Sequence, residues 1–363
     1  MFLGYKYIAH IYVQYKTKSP ALQCISRGFL SYPCNMRNGW ISRQALYKGV
    51  LLIVCFTLLV AAIRGCRLAV APSPSLSDQD DLTLTVYLHQ QDETVEMGLD
   101  EYLYGVLGGE MPASFPLEAL KAQAVAARTY TVRRMASLGG DPCGRGGADV
   151  CTDSSCCQSY RSPQALAESW GSQAKQYEDK LRQAVADTHG LIAVYDDQPI
   201  EALYHSAAGG HTEDAQNVFS NALPYLVGVE SPGEQDAAHY LETVSFSAKE
   251  LASTINQAYP KANLSPSKLE SQMEIMDRYE SGQVETLRLG DTTVSGKEFR
   301  KALDLRSANF SLAFSQDTVS ITTCGYGHGV GMSQYGARAM ALEGADFQQI
   351  LSHYYTGIQL KGI

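Results

Sequence analysis

Glycine occupies every second position from Gly325 to Gly331, and this alternation restricts the fold of the chain more than any other feature. Each glycine inside a helix or strand costs roughly 0.5–1 kcal/mol relative to alanine, so the segment is not a core strand or helix. A glycine-rich structural turn is the simpler interpretation. The interleaved polar side chains favour instead a loop where a ligand approaches bare backbone, with these side chains in one cleft: His328, Ser333, Gln334 and Tyr335.

The charge of the chain is distributed unevenly. The 363 residues have a net charge of −9, yet residues 1–67 hold nine lysines and arginines and no acid. The other 296 residues therefore combine the remaining 20 basic side chains with all 38 acidic ones, a net charge of −18. An acidic body argues against nucleic acid as a ligand, and against a ligand that must be strongly anionic.

An apolar run of fourteen residues, Val50–Ile63, follows the basic N-terminal part. It is shorter than the about 20 residues of a membrane span and also fits a signal-peptide h-region or a buried helix. Because no clear A-x-A cleavage site follows it directly, we expect an uncleaved, single-pass membrane anchor over residues 49–70. The basic segment 1–48 would then lie in the cytoplasm, with the body exported. Residues 1–35 do not resemble a domain, and translation starting at Met36 would leave a short basic segment.

Composition and periodicity divide the rest of the chain. Residues 71–81, rich in Pro, Ser and Asp, are typical of a linker. The patterns that follow predict an α+β fold, with mixed helices and short strands around a binding cleft. We expect residues 82–234 and 316–363 to form the core, and 235–315 to form an inserted, smaller α+β subdomain.

A candidate general acid lies between two predicted helices. Two glycines are expected to end a short helix over 101–107, and Glu110 follows them; Ser114 is the predicted N-cap of the next, alanine-rich helix. A carboxyl group with apolar neighbours has a raised pKa and suits acid catalysis, although a solvated loop glutamate is the plainer interpretation. Arg128, on the second helix, can orient Glu110 or bind a substrate hydroxyl or carboxylate, or it is a surface arginine.

Four of the nine cysteines lie within fifteen residues, in the pattern C-x7-C-x4-C-C. Four thiolates this close together can form a tetrahedral structural zinc site. Two disulfides are the alternative in an exported protein, and free thiols are a third possibility. A cysteine-based enzyme is disfavoured because the segment contains no histidine to activate a thiolate. The candidate zinc ligands are Cys143, Cys151, Cys156 and Cys157.

A second polar loop with glycines, YHSAAGGHTE, spans Tyr204–Glu213. The chain has neither a G-x-S-x-G nor an H-E-x-x-H motif, so serine or zinc hydrolase chemistry has little support. We interpret the loop as the edge of a binding site, where Tyr204 stacks on a sugar ring while Ser206 and backbone amides bind hydroxyls. Its candidate binding residues are Tyr204, His205, Ser206, Gly209 and Gly210.

The order of several segments resembles the stage II sporulation protein D family and its wider domain family, which includes amidase-enhancer proteins. The resemblance covers roughly residues 82–360. The segments that carry it are EYLYGVLGGEMPASFPLEALKAQAVAARTY (101–130), DVCTDSSCCQSY (149–160), YHSAAGGHTEDAQNVF (204–219), YLVGVESPGE (225–234), VSGKEFRKALDLRSANF (294–310) and GYGHGVGMSQYGARAMA (325–341).

The resemblance implies a membrane-anchored lytic transglycosylase that cuts peptidoglycan glycan strands, preferably peptide-stripped ones, during forespore engulfment in sporulation. It implies that Glu110 is the catalytic acid. It also implies that Arg128, Gly329 and the polar residues of the two glycine loops line a glycan-binding cleft. The body would face the cell wall from the septal or engulfing membrane. A cell-wall amidase and a membrane protein of the engulfment machinery would be partners. The alternative function is a non-catalytic, glycan-binding enhancer of such an amidase.

The resemblance also implies a zinc site, with a departure in this chain. Zinc-binding members usually have one histidine six positions before the DVC cysteine and another just before the last cysteine. Here Arg145 and Cys156 occupy those positions. Because arginine cannot bind zinc, Cys143, two residues earlier, is the expected replacement ligand.

Overall fold

The structure is a computed structural model, and it describes residues 82–219 and 221–363. Within these residues the fold is a mixture of helices and small sheets, which confirms the predicted α+β class. Within the same residues, no helix has both the length and the apolar character needed to cross a bilayer. The predicted basic segment, the anchor over 49–70 and the linker over 71–81 lie outside the described residues.

The three longest helices lie in the first half of the described chain, and helices recur at its end. In the described residues they are α1 (Leu99–Glu110), α2 (Leu117–Val132), α3 (Pro163–Trp170), α4 (Ala174–Asp187), α5 (Ala215–Phe219), α6 (Ala248–Ala258), α7 (Leu269–Gln272), α8 (Gly296–Ala302), α9 (Gln334–Leu342) and α10 (Phe347–Tyr354).

The strands are short and belong to several small sheets. They are β1 (Thr83–Leu88), β2 (Glu93–Gly98), β3 (Val150–Cys151), β4 (Leu191–Tyr195), β5 (Gln198–Pro199), β6 (Tyr204–His205), β7 (Gly210–His211), β8 (Glu230–Ser231), β9 (Leu241–Ser247), β10 (Met273–Arg278), β11 (Val284–Leu289), β12 (Thr292–Ser295), β13 (Phe310–Phe314), β14 (Thr318–Cys324), β15 (Met332–Ser333) and β16 (Gln359–Gly362).

Most strand pairs are antiparallel. The three-stranded sheets have the orders β2-β1-β3, β16-β4-β5, β10-β11-β12 and β13-β14-β9, and β7 pairs with β8. Two pairs are parallel: β1 with β3, which joins the cysteine segment to the first sheet, and β6 with β15. The second parallel pair matters for function, because it places the two glycine loops side by side.

The central element of the first hydrophobic core is the alanine-rich helix α2. Its residues are buried on nearly every side, and it packs against α1, α4, α9, α10 and β4. A helix that is buried all round needs small side chains where neighbours approach closely. Alanine meets this need at Ala119, Ala122, Ala124, Ala126 and Ala127, all fully buried. The alanine content of this segment is thus explained by packing.

A second hydrophobic core lies farther along the chain. It is formed by the sheets β10-β11-β12 and β13-β14-β9 together with α6 and α8, and its fully buried members include Leu251, Leu287, Phe299 and Ile321. Alternate residues of β14 point inward, as expected for a strand with one buried face. Since β14 completes one of these sheets, the cluster extends past residue 315; the predicted bounds of the inserted subdomain stay a prediction.

Candidate functional site

Glu110 is the last residue of helix α1. The prediction that two glycines end this helix was wrong, because α1 continues through both of them. A Cβ atom at Gly108 would lie 2.5 Å from Cδ1 of Leu166, and one at Gly109 would lie 2.8 Å from the carbonyl oxygen of Ser159. The glycines therefore let α3 and the segment before it pack against α1. The predicted N-cap Ser114 is also wrong, since the cap of α2 is Pro116.

The carboxyl group of Glu110 has two hydrogen-bond donors. The backbone N–H of Ser159 donates to Oε1 at 2.6 Å, and Nε2 of Gln334 donates to Oε2 at 3.2 Å. Burial raises the pKa of Glu110, while both hydrogen bonds oppose this by stabilising the carboxylate. The negative end of the α1 dipole also disfavours a charge here. Glu110 thus holds its proton to a higher pH than a free glutamate, as a general acid requires.

Gln334 owes its position to the start of helix α9. Ser333 is the N-cap of this helix, and its Oγ accepts a hydrogen bond from the N–H of Gly336 at 3.2 Å. Gln334 follows as the first helical residue and is nearly buried. Of the residues predicted in this loop, Gln334 therefore contacts Glu110. Ser333 is fully buried and caps the helix, so it is not exposed to a ligand.

A buried carboxylate, Glu234, connects the two glycine loops. Its Oε2 accepts a hydrogen bond from the backbone N–H of Gly209 at 2.8 Å, and its Oε1 accepts from Oγ of Ser231 at 2.7 Å. Oγ of Ser333 also donates to Oε1. Glu234 is fully buried, so these donors replace the water that a carboxylate requires. One side chain thereby fixes Gly209 of the 204–213 loop and the helix cap that follows the 325–331 loop.

Tyr204 lies on β6, opposite Met332 of β15. Its hydroxyl donates to Oε1 of Gln158 at 2.6 Å. Burial raises the pKa of Tyr204 well above its usual value, and the nearby charge of Glu110 raises it further. The phenol thus remains protonated and lies near Glu110, so the structure brings together Glu110, Gln334 and Tyr204.

His205 and His328 lie ring against ring, with their centroids 5.5 Å apart. Nδ1 of His205 lies 3.2 Å from the carbonyl oxygen of Val330, and its buried Nε2 has no hydrogen-bond partner among the described residues. Nδ1 of His328 accepts from the N–H of Val330 at 3.0 Å. Burial lowers the pKa of His205 to about 4 and that of His328 to about 3. Both imidazoles are therefore neutral at neutral pH.

The alternating glycines let the two loops pack against each other. All four have positive φ, and a Cβ atom at Gly331 would lie 2.1 Å from the carbonyl oxygen of Leu203, while one at Gly327 would lie 2.7 Å from Cβ of His205. A ligand is thus not needed to explain this pattern. A Cβ atom at Gly329 would likewise meet Nε2 of Gln283, whereas one at Gly210 would meet open space.

The remaining loop residues lie at the same junction. The carbonyl oxygen of Ser206 accepts a hydrogen bond from the N–H of Tyr335 at 3.0 Å. The ring of Tyr335 packs edge-on against Phe115, with centroids 5.0 Å apart. Ser206 and Tyr335 are both partly exposed, so they remain available to a ligand.

Arg128 has an environment that the sequence did not predict. Its guanidinium is fully buried and donates to the carbonyl oxygens of Thr188, at 2.8 Å, and Val185, at 3.2 Å. A carboxylate oxygen of Asp100 lies 3.5 Å away. These carbonyls end helix α4, where a cation is favourable. Arg128 therefore ties α2 to the end of α4, which does not fit the predicted contact with a substrate.

The four clustered cysteines converge in space. Their Sγ atoms, from Cys143, Cys151, Cys156 and Cys157, all lie within 4.8 Å of one another, and the cysteines are free. At a Zn–S distance of about 2.3 Å, tetrahedral sulfurs are roughly 3.8 Å apart. The Sγ atoms of Cys156 and Cys157 are 3.9 Å apart. The four sulfur atoms and their spacing thus fit a tetrahedral zinc ion. Four cysteine ligands would leave no coordination position for water. Arg145 pairs instead with Asp153 at 2.6 Å.

Three contributors to the site were missed from the sequence: Gln158, Ser159 and Glu234. Ser159 acts through its backbone, which a side-chain pattern does not reveal. Gln158 directly follows the cysteine pair, and no motif in the sequence marks it as part of a site. Glu234 follows Pro232 and Gly233 and precedes two polar residues, so its local sequence is that of an ordinary loop glutamate.

The chain was compared with known protein families and with curated proteins. A family model described as "Stage II sporulation protein" matches residues 87–195. The chain is similar to stage II sporulation protein D of Bacillus subtilis (strain 168), 35% identical over 306 residues that cover 83% of this chain and 87% of that protein. It is 37% identical over 288 residues to the protein of the same name from Bacillus amyloliquefaciens, covering 79% and 81%. It is also 28% identical over 305 residues to the amidase enhancer of Bacillus subtilis (strain 168), covering 71% and 40%.

Proposed function

This chain belongs to the stage II sporulation protein D family, and from that premise we propose that it cleaves peptidoglycan glycan strands as a lytic transglycosylase during sporulation. The observation that supports this most is Glu110, a buried carboxyl group with a raised pKa. Such a group holds its proton to a higher pH than a free glutamate and can deliver it to a glycosidic oxygen.

The need for one carboxyl group, and not two, favours a transglycosylase over a hydrolase. Hydrolysing glycosidases use a second carboxylate, about 5–9.5 Å from the first, as nucleophile or as base for water. Among the described residues, the hydrogen-bond partners of the Glu110 carboxyl are the N–H of Ser159 and the amide of Gln334, and no second carboxylate is one of them. A lytic transglycosylase needs no second carboxylate because a hydroxyl of the substrate itself attacks.

The reaction can be written with one acid. The Glu110 carboxyl donates its proton to the glycosidic oxygen, and the bond from that oxygen to the anomeric carbon breaks. The C6 hydroxyl oxygen of the same muramic unit then bonds to the anomeric carbon. Its proton returns to the Glu110 carboxylate, which is ready for another cycle. The products are a 1,6-anhydro-muramic end and a new free hydroxyl on the leaving strand.

Three groups near Glu110 support the charge changes of the reaction. The N–H of Ser159 and the amide of Gln334 stabilise the carboxylate that exists after the first proton transfer. The polar hydroxyl of Tyr204 lies near the same carboxyl and can stabilise the oxocarbenium-like state. Zinc held by the cysteine cluster would be structural, since four thiolates complete its coordination.

The proposed setting follows the resemblance. We propose that residues 49–70 anchor the protein in the septal or engulfing membrane, with the body on the outer side facing the cell wall. An amidase that strips stem peptides would act before it, so that peptide-stripped glycan is the preferred substrate. A membrane protein of the engulfment machinery is the further proposed partner.

A second candidate function is a glycan-binding module that stimulates an amidase. The similarity to a protein named amidase enhancer favours it. In that case Glu110 and Gln334 would only bind sugar hydroxyls.

Mass spectrometry of digested glycan distinguishes these functions. Peptide-stripped peptidoglycan is incubated with the purified protein, wild type beside Glu110→Gln. We expect 1,6-anhydro-muramic ends from wild type and none from the variant. Products with reducing ends would mean a hydrolase. Glycan that is bound but uncut by wild type would favour the amidase enhancer.

A further inference from the structure

A small cavity lies beside the glycine loop 325–331, and its lining includes two cations. His328 contributes from the loop, and Lys297 and Arg300 contribute from helix α8. The same wall includes one carboxylate, Glu285. Since His328 is neutral at neutral pH, the charge of the lining comes from two cations and one anion. The cavity therefore has a local positive charge within a body whose net charge is strongly negative.

Neither cation forms an ion pair among the described residues. The ammonium group of Lys297 donates to the carbonyl oxygen of Val218, and Nε of Arg300 donates to that of Leu305 at 3.1 Å. Burial lowers the pKa of Arg300, so its charge is incompletely solvated. A half-buried guanidinium beside carbonyl groups is best stabilised by an anionic ligand.

An exposed aromatic ring borders the same place. Phe219 is 43% exposed, which is high for a phenylalanine. Its ring packs edge-on with His328, at 5.4 Å between centroids, and the Lys297 ammonium lies 5.8 Å from its centroid. An aromatic face beside a cation offers an apolar surface for a sugar ring next to a charge that binds an acidic substituent.

The cavity is close to the proposed acid along the chain. His328 lines the cavity, and Gln334, six residues later, contacts Glu110. Six residues span at most about 22 Å at roughly 3.6 Å each. The two places are therefore no farther apart than an extended oligosaccharide.

We propose that Phe219, Lys297 and Arg300 form a subsite for a muramic unit with a free lactyl carboxylate, as found in peptide-stripped glycan. This rests on the proposed function. A stem peptide is joined to the glycan through this carboxyl as an amide, and its removal leaves a negative charge. The subsite thus distinguishes a stripped strand from a substituted one by charge. It also supplies the local attraction that the acidic body lacks.

The test combines one variant, one control variant and two substrates. Lys297→Gln removes an exposed charge of the subsite, and Lys301→Gln removes an exposed charge from the same helix outside the cavity lining. The substrates are peptide-stripped strands and the same strands with their lactyl carboxyls converted to neutral methylamides. KM and the dissociation constant are measured for the full chain at low salt and at 0.5 M NaCl.

We expect Lys297→Gln to raise both constants about 3–5-fold on carboxylate strands, as for an exposed ion pair, and to leave methylamide strands unaffected. High salt should remove the difference, and Lys301→Gln should resemble wild type. The proposal is overturned if Lys297→Gln matches Lys301→Gln on both substrates, or weakens both substrates equally. Wild type that binds carboxylate strands more tightly but cuts neither would refute the transglycosylase and leave the subsite standing.

Discussion

Nε2 of Gln334 donates a hydrogen bond of 3.2 Å to Oε2 of Glu110, which lies 224 residues earlier in the chain. The bond joins the start of helix α9 to the end of helix α1. Because it stabilises the carboxylate, it lowers the pKa of Glu110, while burial raises it. The pKa of Glu110 therefore depends on burial, on the N–H of Ser159 and on this contact with a segment far away in the sequence.

Removing this amide should change the pH dependence of cleavage. Gln334→Met keeps the length of the side chain but removes the donor, so the pKa of Glu110 should rise further. Since the acid must be protonated, the alkaline limb of kcat/KM should move to higher pH. The measurement is a pH–rate profile beside Gln173→Met, an exposed control. An unmoved alkaline limb in Gln334→Met would show that this amide does not tune the acid.

Glu110 should lower stability at the pH at which it is charged. The pKa of Glu110 is higher in the folded protein than in the unfolded chain, where it is about 4.3. Such a group contributes its full stability below the unfolded pKa, and this contribution is lost as the pH rises through the folded pKa. Glu110→Gln should therefore match or exceed wild type in free energy of unfolding at pH 7. Its relative advantage should shrink at pH 4. Cleavage should fall by roughly 10²–10⁴-fold.

Urea unfolding at the two pH values measures the stability difference, and product analysis measures the cleavage. A variant that is less stable than wild type at pH 7, but not at pH 4, would contradict the direction of the pKa shift.

Arg128 should matter for stability more than for binding. Arg128→Lys loses the fork that reaches the carbonyls of Thr188 and Val185, so we expect a loss of roughly 1.5–3 kcal/mol, the range for hydrogen bonds to charged groups. KM of the folded protein should stay unchanged. Chemical unfolding and steady-state kinetics below the unfolding transition check this, with the exposed Arg161→Lys as the control. A KM raised more than tenfold at wild-type stability would restore the predicted substrate contact.

Glu234 should hold both glycine loops in place. Glu234→Ala leaves the donors of Gly209, Ser231 and Ser333 without their acceptor in a buried site. Each unsatisfied donor costs roughly 1–3 kcal/mol. Glu250→Ala, an exposed glutamate, is the matched control. We expect a large drop in unfolding free energy only for Glu234→Ala. Glu234→Gln, which keeps one acceptor oxygen, should lie between; equal stability of all three would refute the role.

Local patterns predicted the short helix before Glu110 and the alanine-rich helix after it, and both are present. They failed where a residue serves a neighbour distant in sequence. The two glycines before Glu110 look like a helix stop, but they are contact points for Leu166 and Ser159. Helix propensity carries no information about such a contact.

The candidate site shows the same division. Glu110 and Gln334 were predicted as separate candidates, and only the fold reveals that they touch. Arg128 was predicted to bind substrate, but it is fully buried. Its burial depends on packing against other elements, which the sequence of one helix does not reveal. The convergence of the four cysteines was predictable because they are close in sequence. The backbone donor of Ser159 had no signal at all.

Zinc removal should destabilise the protein without changing its chemistry. The four Sγ atoms lie within 4.8 Å of one another, and burial raises the pKa of Cys157, so a metal is needed to hold this thiol as a thiolate. We expect one zinc per chain by elemental analysis, lost in Cys151→Ser and kept in Cys324→Ser, whose cysteine lies outside the cluster. Loss of metal should lower Tm by roughly 6 °C or more, at about 2–4 °C per kcal/mol. The pH–rate profile of the remaining folded protein should be unchanged. Two disulfides found by mass spectrometry in metal-free, fully stable protein would replace the zinc site with the disulfide alternative.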